Sequence, residues 1–257
     1  MKDEDADQIA DIKAPSLWLL MLESRAVFGL TGFILSYPLL KFAAEGDGHP
    51  VLVLPGLMTS DFSTGPLRFF LKGQNFSPHR WRLGTNLGNP EDLIKVKERV
   101  IELHKRYKKK VSIVGWSLGG VYARAVSHEI PEHIRMVITL GSPYKGLMQP
   151  SHAKWFYDLV KGKDADRIDP HLIEKLKCVP PVPFTSIYSK YDGVVSWQYC
   201  MEEEKCDNIE NIEVYASHFG MALNPSVMAC IADRLAQKEG EWKAFESSGS
   251  LPFVYPI

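Results

Sequence analysis

Ser117 stands in Gly115-Trp116-Ser117-Leu118-Gly119-Gly120, directly after the strand-like run Val111-Ser112-Ile113-Val114. A serine with glycines on either side at this spacing suits a sharp strand-to-helix turn, where a strained backbone lifts the hydroxyl above the sheet. Gly115, Gly119 and Gly120 are then a steric requirement, because strand and helix must approach one another closely. The helix that follows would aim its N-terminal dipole at the reaction centre, which makes the N–H of Leu118 a candidate donor to a developing oxyanion. The chemistry such a serine performs is nucleophilic attack on an acyl carbon. A Gly-x-Ser-x-Gly run also occurs as an ordinary glycine-rich turn, so its partners decide the matter.

A serine hydroxyl needs a neutral imidazole to take its proton and an acid to orient that imidazole. After a turn of this kind the partners follow in the order serine, acid, histidine, each on a loop beyond a later strand. Asp192 lies in Ser189-Lys190-Tyr191-Asp192-Gly193, after the apolar run Phe184–Ser189, and His218 lies in Ala216-Ser217-His218-Phe219-Gly220, after Ile212–Tyr215. Taken singly, Asp192-Gly193 reads as a turn and His218 as a loop residue; their joint order and placement favour catalysis. Of the eight histidines, only His218 has the required position: His104, His128 and His133 fall in helical segments, His49 and His79 near early strands, and His152 and His171 in an insertion. A second oxyanion donor should come from the turn after an early strand, Val51-Leu52-Val53-Leu54-Pro55-Gly56-Leu57-Met58. Leu57 is the candidate, with Met58 in reserve.

The elements that would position these residues alternate along the chain. Strands are expected at Val51–Leu54, His79–Leu83, Val111–Val114, Arg135–Leu140, Phe184–Ser189 and Ile212–Tyr215, and helices at Pro90–Lys110, Val121–Glu129 and Pro225–Gln237. This pattern predicts one α/β domain over 1–257, with a mostly parallel sheet covered on both faces. Ser142–Pro183 breaks the alternation and reads as a helical cap insertion, 142–183, whose apolar face carries Trp155, Phe156, Leu159 and Val160. Residues 1–45 form an N-terminal helical segment. Within it, Ala26–Leu40 runs 15 residues without charge, short of the roughly 20 needed to span a bilayer. Leu19, Leu22, Ala26, Leu30 and Phe33 share one face and are expected to pack on the domain, with interfacial contact to lipid as the alternative.

With 45% hydrophobic and 24% charged residues the composition is that of a soluble globular protein, and a net charge of −1 offers no field to gather nucleic acid. The run Lys105–Lys110 closes a helix, where cations meet the negative end of its dipole. Four cysteines, Cys178, Cys200, Cys206 and Cys230, show no metal-binding spacing, and the acidic start Met1-Lys2-Asp3-Glu4-Asp5 lacks the features of a signal peptide. A cytoplasmic location is the expectation, secreted if a signal peptide has been removed. No metal or organic cofactor is required by the chemistry described.

Taken together, these pieces resemble the lipase/esterase-like α/β-hydrolases of bacteria over nearly the whole chain. The matching segments are Gly46–Leu57, Trp81–Gly88, Gly115–Gly120, Leu140–Pro143, Asp192–Trp197 and Ser217–Pro225. The resemblance implies the α/β-hydrolase fold, Ser117 as nucleophile, Asp192 as acid, His218 as base, and Leu57 with Leu118 as oxyanion donors. Pro55 departs from the pattern, since lipases often have histidine before this glycine. The implied activity is hydrolysis of small-molecule, lipid or polymer esters with apolar acyl chains, and Met58, Trp116, Trp155 and Phe156 are candidate substrate contacts. Two other readings are acyl transfer to an alcohol by the same residues, and a non-catalytic binding protein on the same fold.

Overall fold

The computed structural model describes residues 12–145, 175–176, 178–204, 206–247 and 255–256. Six parallel strands form one sheet: β1 (Pro50–Leu54), β2 (Ser77–Arg80), β3 (Val111–Trp116), β4 (Ile134–Leu140), β5 (Phe184–Tyr188) and β6 (Ile209–Glu213). Their spatial order is β2-β1-β3-β4-β5-β6, so the chain steps outward from β1 to an edge and then returns to the other side of it. That reversal opens a crevice at the carboxyl ends of β1 and β3, where open α/β sheets bind ligands.

The central strands are apolar because both sheet faces are covered. Val51 and Val53 point to one face and Leu52 and Leu54 to the other, the period-2 alternation of a strand. On the first face they meet Leu67, Phe70 and Leu71 of α3 (Gly65–Gly73) and Val227, Ile231 and Leu235 of α6 (Pro225–Ala236). On the second face lie Val96, Val100 and Leu103 of α4 (Asp92–Tyr107) and Val121, Ala125 and Val126 of α5 (Leu118–Glu129). The helix α4 stops at Lys108, which takes a left-handed φ of 55° amid the basic run.

Two strands differ from the sequence expectation. β2 was placed at His79–Leu83 and lies at Ser77–Arg80, while β6 was placed at Ile212–Tyr215 and lies at Ile209–Glu213. Both are edge strands with one face toward water, so neither carries the apolar run by which strands are recognised. The run that drew the expectation downstream of β2 contains Trp81, which is buried beyond the strand's end, and Arg82, whose φ is 65°. The helix α3 had no counterpart in the sequence reading.

Ahead of the sheet, α1 (Leu17–Leu22), a 3₁₀ helix (Glu23–Phe28) and α2 (Gly29–Leu40) follow one another without a break. The helical stretch Leu17–Leu40 is 24 residues, longer than the uncharged run inside it, and is apolar enough to cross a membrane by length and composition. Phe33 and Leu40 are buried against the first face, whereas Trp18, Met21, Val27, Phe28 and Leu35 are exposed. Leu30, expected on the packed face, is half exposed. Trp155, Phe156, Leu159 and Val160 lie outside the described residues. Among the described residues no cysteine is in a disulfide, Cys200 and Cys206 included.

Candidate active site

Ser117 sits between β3 and α5 with φ 53° and ψ −121°, a region that non-glycine residues occupy only under strain. Its backbone N–H is held by the Leu140 carbonyl of β4 at 2.8 Å, and its own carbonyl accepts from Gly120 N–H at 2.9 Å. Its side chain makes no capping bond to the helix, so the hydroxyl is not spent locally. The glycines explain how the turn closes. A Cβ on Gly115 would lie 2.4 Å from the Cα of Gly120, and one on Gly119 would lie 2.6 Å from the Leu54 carbonyl oxygen.

Asp192 and His218 arrive from the loops after β5 and β6. Asp192 Oδ2 accepts a hydrogen bond from His218 Nδ1 at 2.7 Å, and both side chains are buried. The other carboxylate oxygen, Oδ1, is fixed by the N–H groups of Val194 and Val195 at 2.8 and 2.7 Å. With Nδ1 committed to a carboxylate, the unprotonated Nε2 is the nitrogen left to accept a proton. The ring leans on Trp116, whose Nε1–H donates to the His218 carbonyl at 3.1 Å. Among the described residues, Ser117 Oγ makes no hydrogen bond to His218; such contacts are often long before substrate binds.

Burial disfavours the imidazolium of His218, but the Asp192 carboxylate, with a smaller contribution from Glu23, outweighs it, so the group titrates above its ordinary range. The sign follows directly. A base must be neutral to accept a proton, and protonated His218 persists to higher pH than a free histidine, whose pKa is about 6.5. For an uncharged ester, kcat/KM is expected to rise with pH along a limb centred above about 6.5. A pH–rate profile measured on p-nitrophenyl butyrate checks this, and a limb centred below that value would contradict the arrangement.

The loop after β1 lies against the serine: a Cβ on Gly56 would be 3.3 Å from the Cβ of Ser117. Leu57 and Leu118 have no recorded partner for their backbone N–H among the described residues. Met58, in contrast, takes a left-handed φ of 56° and donates its N–H to the Asn86 carbonyl at 2.7 Å. The reserve donor is therefore already engaged, and the Met58 side chain is exposed. Asn86 locks this loop further, through its side-chain amide to the Pro55 carbonyl at 2.9 Å and its N–H to the Thr59 carbonyl at 2.7 Å. Sequence reasoning placed Asn86 within a matching segment without seeing this role.

A cavity of about 600 Å³ opens beside Trp116. Leu30, Phe62, Phe219, Ala222 and Leu223 supply its apolar wall, and Asp61, Arg68 and Arg80 line its polar part. The polar part is internally satisfied in that Arg68 Nη2 donates to the Asp61 carbonyl at 2.7 Å and its Nη1 bonds to Thr64. Of the four sequence-predicted substrate contacts, Trp116 lines this cavity, Met58 does not, and Trp155 and Phe156 are not among the described residues. Phe62 was missed because its segment carries no motif, and Leu223, although inside the matching segment Ser217–Pro225, had no local signal of a substrate contact; only folding brings the two to the cavity beside Trp116.

A second Ser-His-Asp chain exists elsewhere in the molecule. Asp47 Oδ1 bonds His49 Nδ1 at 2.5 Å, and His49 Nε2 bonds Ser112 Oγ at 2.9 Å. Yet Ser112 and His49 are 0% exposed at the amino-terminal side of β3 and β1, remote from the crevice. Burial, together with the nearby Arg135 guanidinium, holds His49 down to about 4, so it stays neutral and structural. Position on the sheet separates the two: Ser112 lies inside β3 near its amino-terminal end, whereas Ser117 follows the strand's carboxyl end. Among the described residues, no group of three or more His, Cys, Asp or Glu side chains could hold a metal ion.

The fold is that of the α/β hydrolases, and lipases and esterases are among its structural neighbours. The monoacylglycerol lipase of Paleococcus ferrophilus superposes with a TM-score of 0.56 at 14% identity, covering 76% of this chain and 96% of that one. A lipase-esterase related protein of Clostridium acetobutylicum gives a TM-score of 0.52 at 17% identity, over 73% and 95% of the two chains. Lipase B of Aspergillus fumigatus gives 0.55 at 15% identity over 77% of this chain, which spans only 56% of that larger enzyme. No protein-family model matches the sequence, and no curated protein does.

Proposed function

We propose that this protein hydrolyses carboxylic esters with apolar acyl chains through an acyl-enzyme at Ser117. The observation that carries the proposal is a serine strained into a left-handed backbone conformation, its hydroxyl making no capping bond to its own helix, at the same sheet edge as the hydrogen-bonded Asp192–His218 pair. The lipase and esterase neighbours support the reading at the level of fold. In the reaction, Ser117 Oγ attacks the ester carbonyl carbon as His218 Nε2 takes its proton. The amides of Leu57 and Leu118 stabilise the resulting oxyanion. Collapse of the tetrahedral intermediate expels the alcohol, which carries away the proton held by His218. Water then attacks the acyl-enzyme with the same histidine as base, releasing the acid and restoring Ser117.

The apolar wall beside Trp116 is the site proposed for the acyl chain, and the exposed apolar face of α1 and α2 fits a substrate presented at a lipid or polymer surface. Turnover of p-nitrophenyl esters of graded chain length, with and without prior fluorophosphonate treatment, tests the activity; an inert protein would refute it. The wall has a test of its own. Each buried methylene contributes at most about 0.8 kcal/mol, so Leu30→Ala should lower kcat/KM for octanoate roughly fourfold or more while sparing acetate. Equal effects on the two esters would remove Leu30 from the acyl site.

A further inference from the structure

The N-terminal segment carries one buried carboxylate in an otherwise apolar stretch. Glu23 is 4% exposed, although Met21, Ser24, Val27 and Phe28 of the same helical stretch face solvent. A carboxylate in that position is costly unless its oxygens are satisfied. Here they are satisfied by three backbone amides from the two loops that carry the proposed acid and base. Glu23 Oε1 accepts from Gly193 N–H and from His218 N–H, each at 2.9 Å, and Oε2 accepts from Phe219 N–H at 3.0 Å. Gly193 directly follows Asp192. One side chain, 170 and 195 residues distant in sequence, therefore spans both loops.

Two further observations show that the segment is docked for this contact. A Cβ on Gly193 would lie 2.3 Å from the Leu19 carbonyl oxygen, so the acid loop admits only glycine where the segment crosses it. Arg25 Nη2 donates to the Tyr191 carbonyl at 2.9 Å, one residue before Asp192. We propose that Glu23 is a positioning residue, holding the Asp192 and His218 loops at the spacing that proton transfer from Ser117 requires. This rests on the esterase reading for its kinetic consequence, while the geometry it invokes is independent of substrate.

A purely structural staple would alter stability alone, so the test reads the histidine. The charged groups nearest His218 among the described residues are Asp192, from the loop after β5, and Glu23; Trp116 and Phe219, which flank the ring, are uncharged. Glu23→Gln keeps the shape, removes the charge and turns an amide NH₂ toward a backbone donor. The expected results are a fall in kcat for p-nitrophenyl butyrate of about 10- to 100-fold with KM little changed, and an acid limb moved to lower pH. The His218 ring titration, followed by NMR, should move the same way even if no ester is turned over. Glu23→Asp should recover part of kcat and of the titration shift, and it reads the same quantities should Glu23→Gln fail to fold. Arg25→Ala, which loosens the same segment and leaves the carboxylate, should not lower the titration. Inactive wild-type protein with a shifted titration in Glu23→Gln would refute the esterase reading and leave the positioning role supported. A folded Glu23→Gln with wild-type kcat and titration, or Arg25→Ala producing the same downward shift, would overturn the proposal.

Discussion

Ser117→Ala is expected to abolish covalent capture by a fluorophosphonate and to lower kcat for ester turnover by about 10⁶-fold. The nucleophile is lost, while the elbow keeps its backbone, because alanine carries the same Cβ in the same strained φ of 53°. Residual turnover would come from the oxyanion amides and substrate binding acting on water. Peptide mapping of the wild-type adduct gives the sharper comparison, since Ser112 also belongs to a Ser-His-Asp chain. Its Ser112 and His49 are sealed from solvent, so the adduct should map to Ser117 alone. An adduct on Ser112 or Ser142 would reassign the nucleophile.

The second large effect separates the base from the acid. His218→Ala removes the only proton acceptor proposed for Ser117 and should cost about 10⁶-fold in kcat, close to the loss of the serine itself. Asp192→Asn should cost less, about 10⁴-fold. An asparagine can still accept from Val194 and Val195 N–H through its carbonyl oxygen, so the loop should hold its shape. Its NH₂ would then face His218 Nδ1 and favour the tautomer with the proton on Nε2, which cannot take one from Ser117. Glu210 is a poor substitute acid, since it is paired with Arg234 at 2.9 Å and accepts from Thr185 at 2.9 Å. Full activity in Asp192→Asn together with loss on substituting Asp207 or Glu210 would show that the acid has been misassigned. Comparing kcat of the three variants on one ester decides it.

The parallel sheet was legible because its four inner strands are buried on both faces and therefore read as continuous apolar runs. The edge strands were displaced for the opposite reason: Ser77–Arg80 and Ile209–Glu213 meet water and carry polar residues, while most of the apolar residues that marked them, Trp81, Leu83, Val214 and Tyr215, lie beyond their ends. The N-terminal segment was read as a packed helix on the strength of one face. Phe33 from that face is buried, yet the opposite face is equally apolar and exposed, and periodicity cannot distinguish them. Glu23 had a visible signal, a carboxylate interrupting an apolar run, but nothing local indicated what it would bind.

By itself, the sequence determined what depends on neighbours along the chain. Glycine spacing around Ser117 dictates a turn in which only hydrogens can occupy the contact points, and the clearances at Gly115 and Gly119 are the same constraint seen in three dimensions. The order of Ser117, Asp192 and His218 likewise follows from strand succession. Tertiary structure alone decided the rest, because desolvation and contact between distant segments are properties of the assembled fold. It buried Ser112 inside β3 and left Ser117 at the crevice, and it bonded Met58 N–H to Asn86 but gave Leu57 N–H no partner among the described residues. It also set Leu30 beside Phe219 at the cavity and brought Glu23 under the acid and base loops.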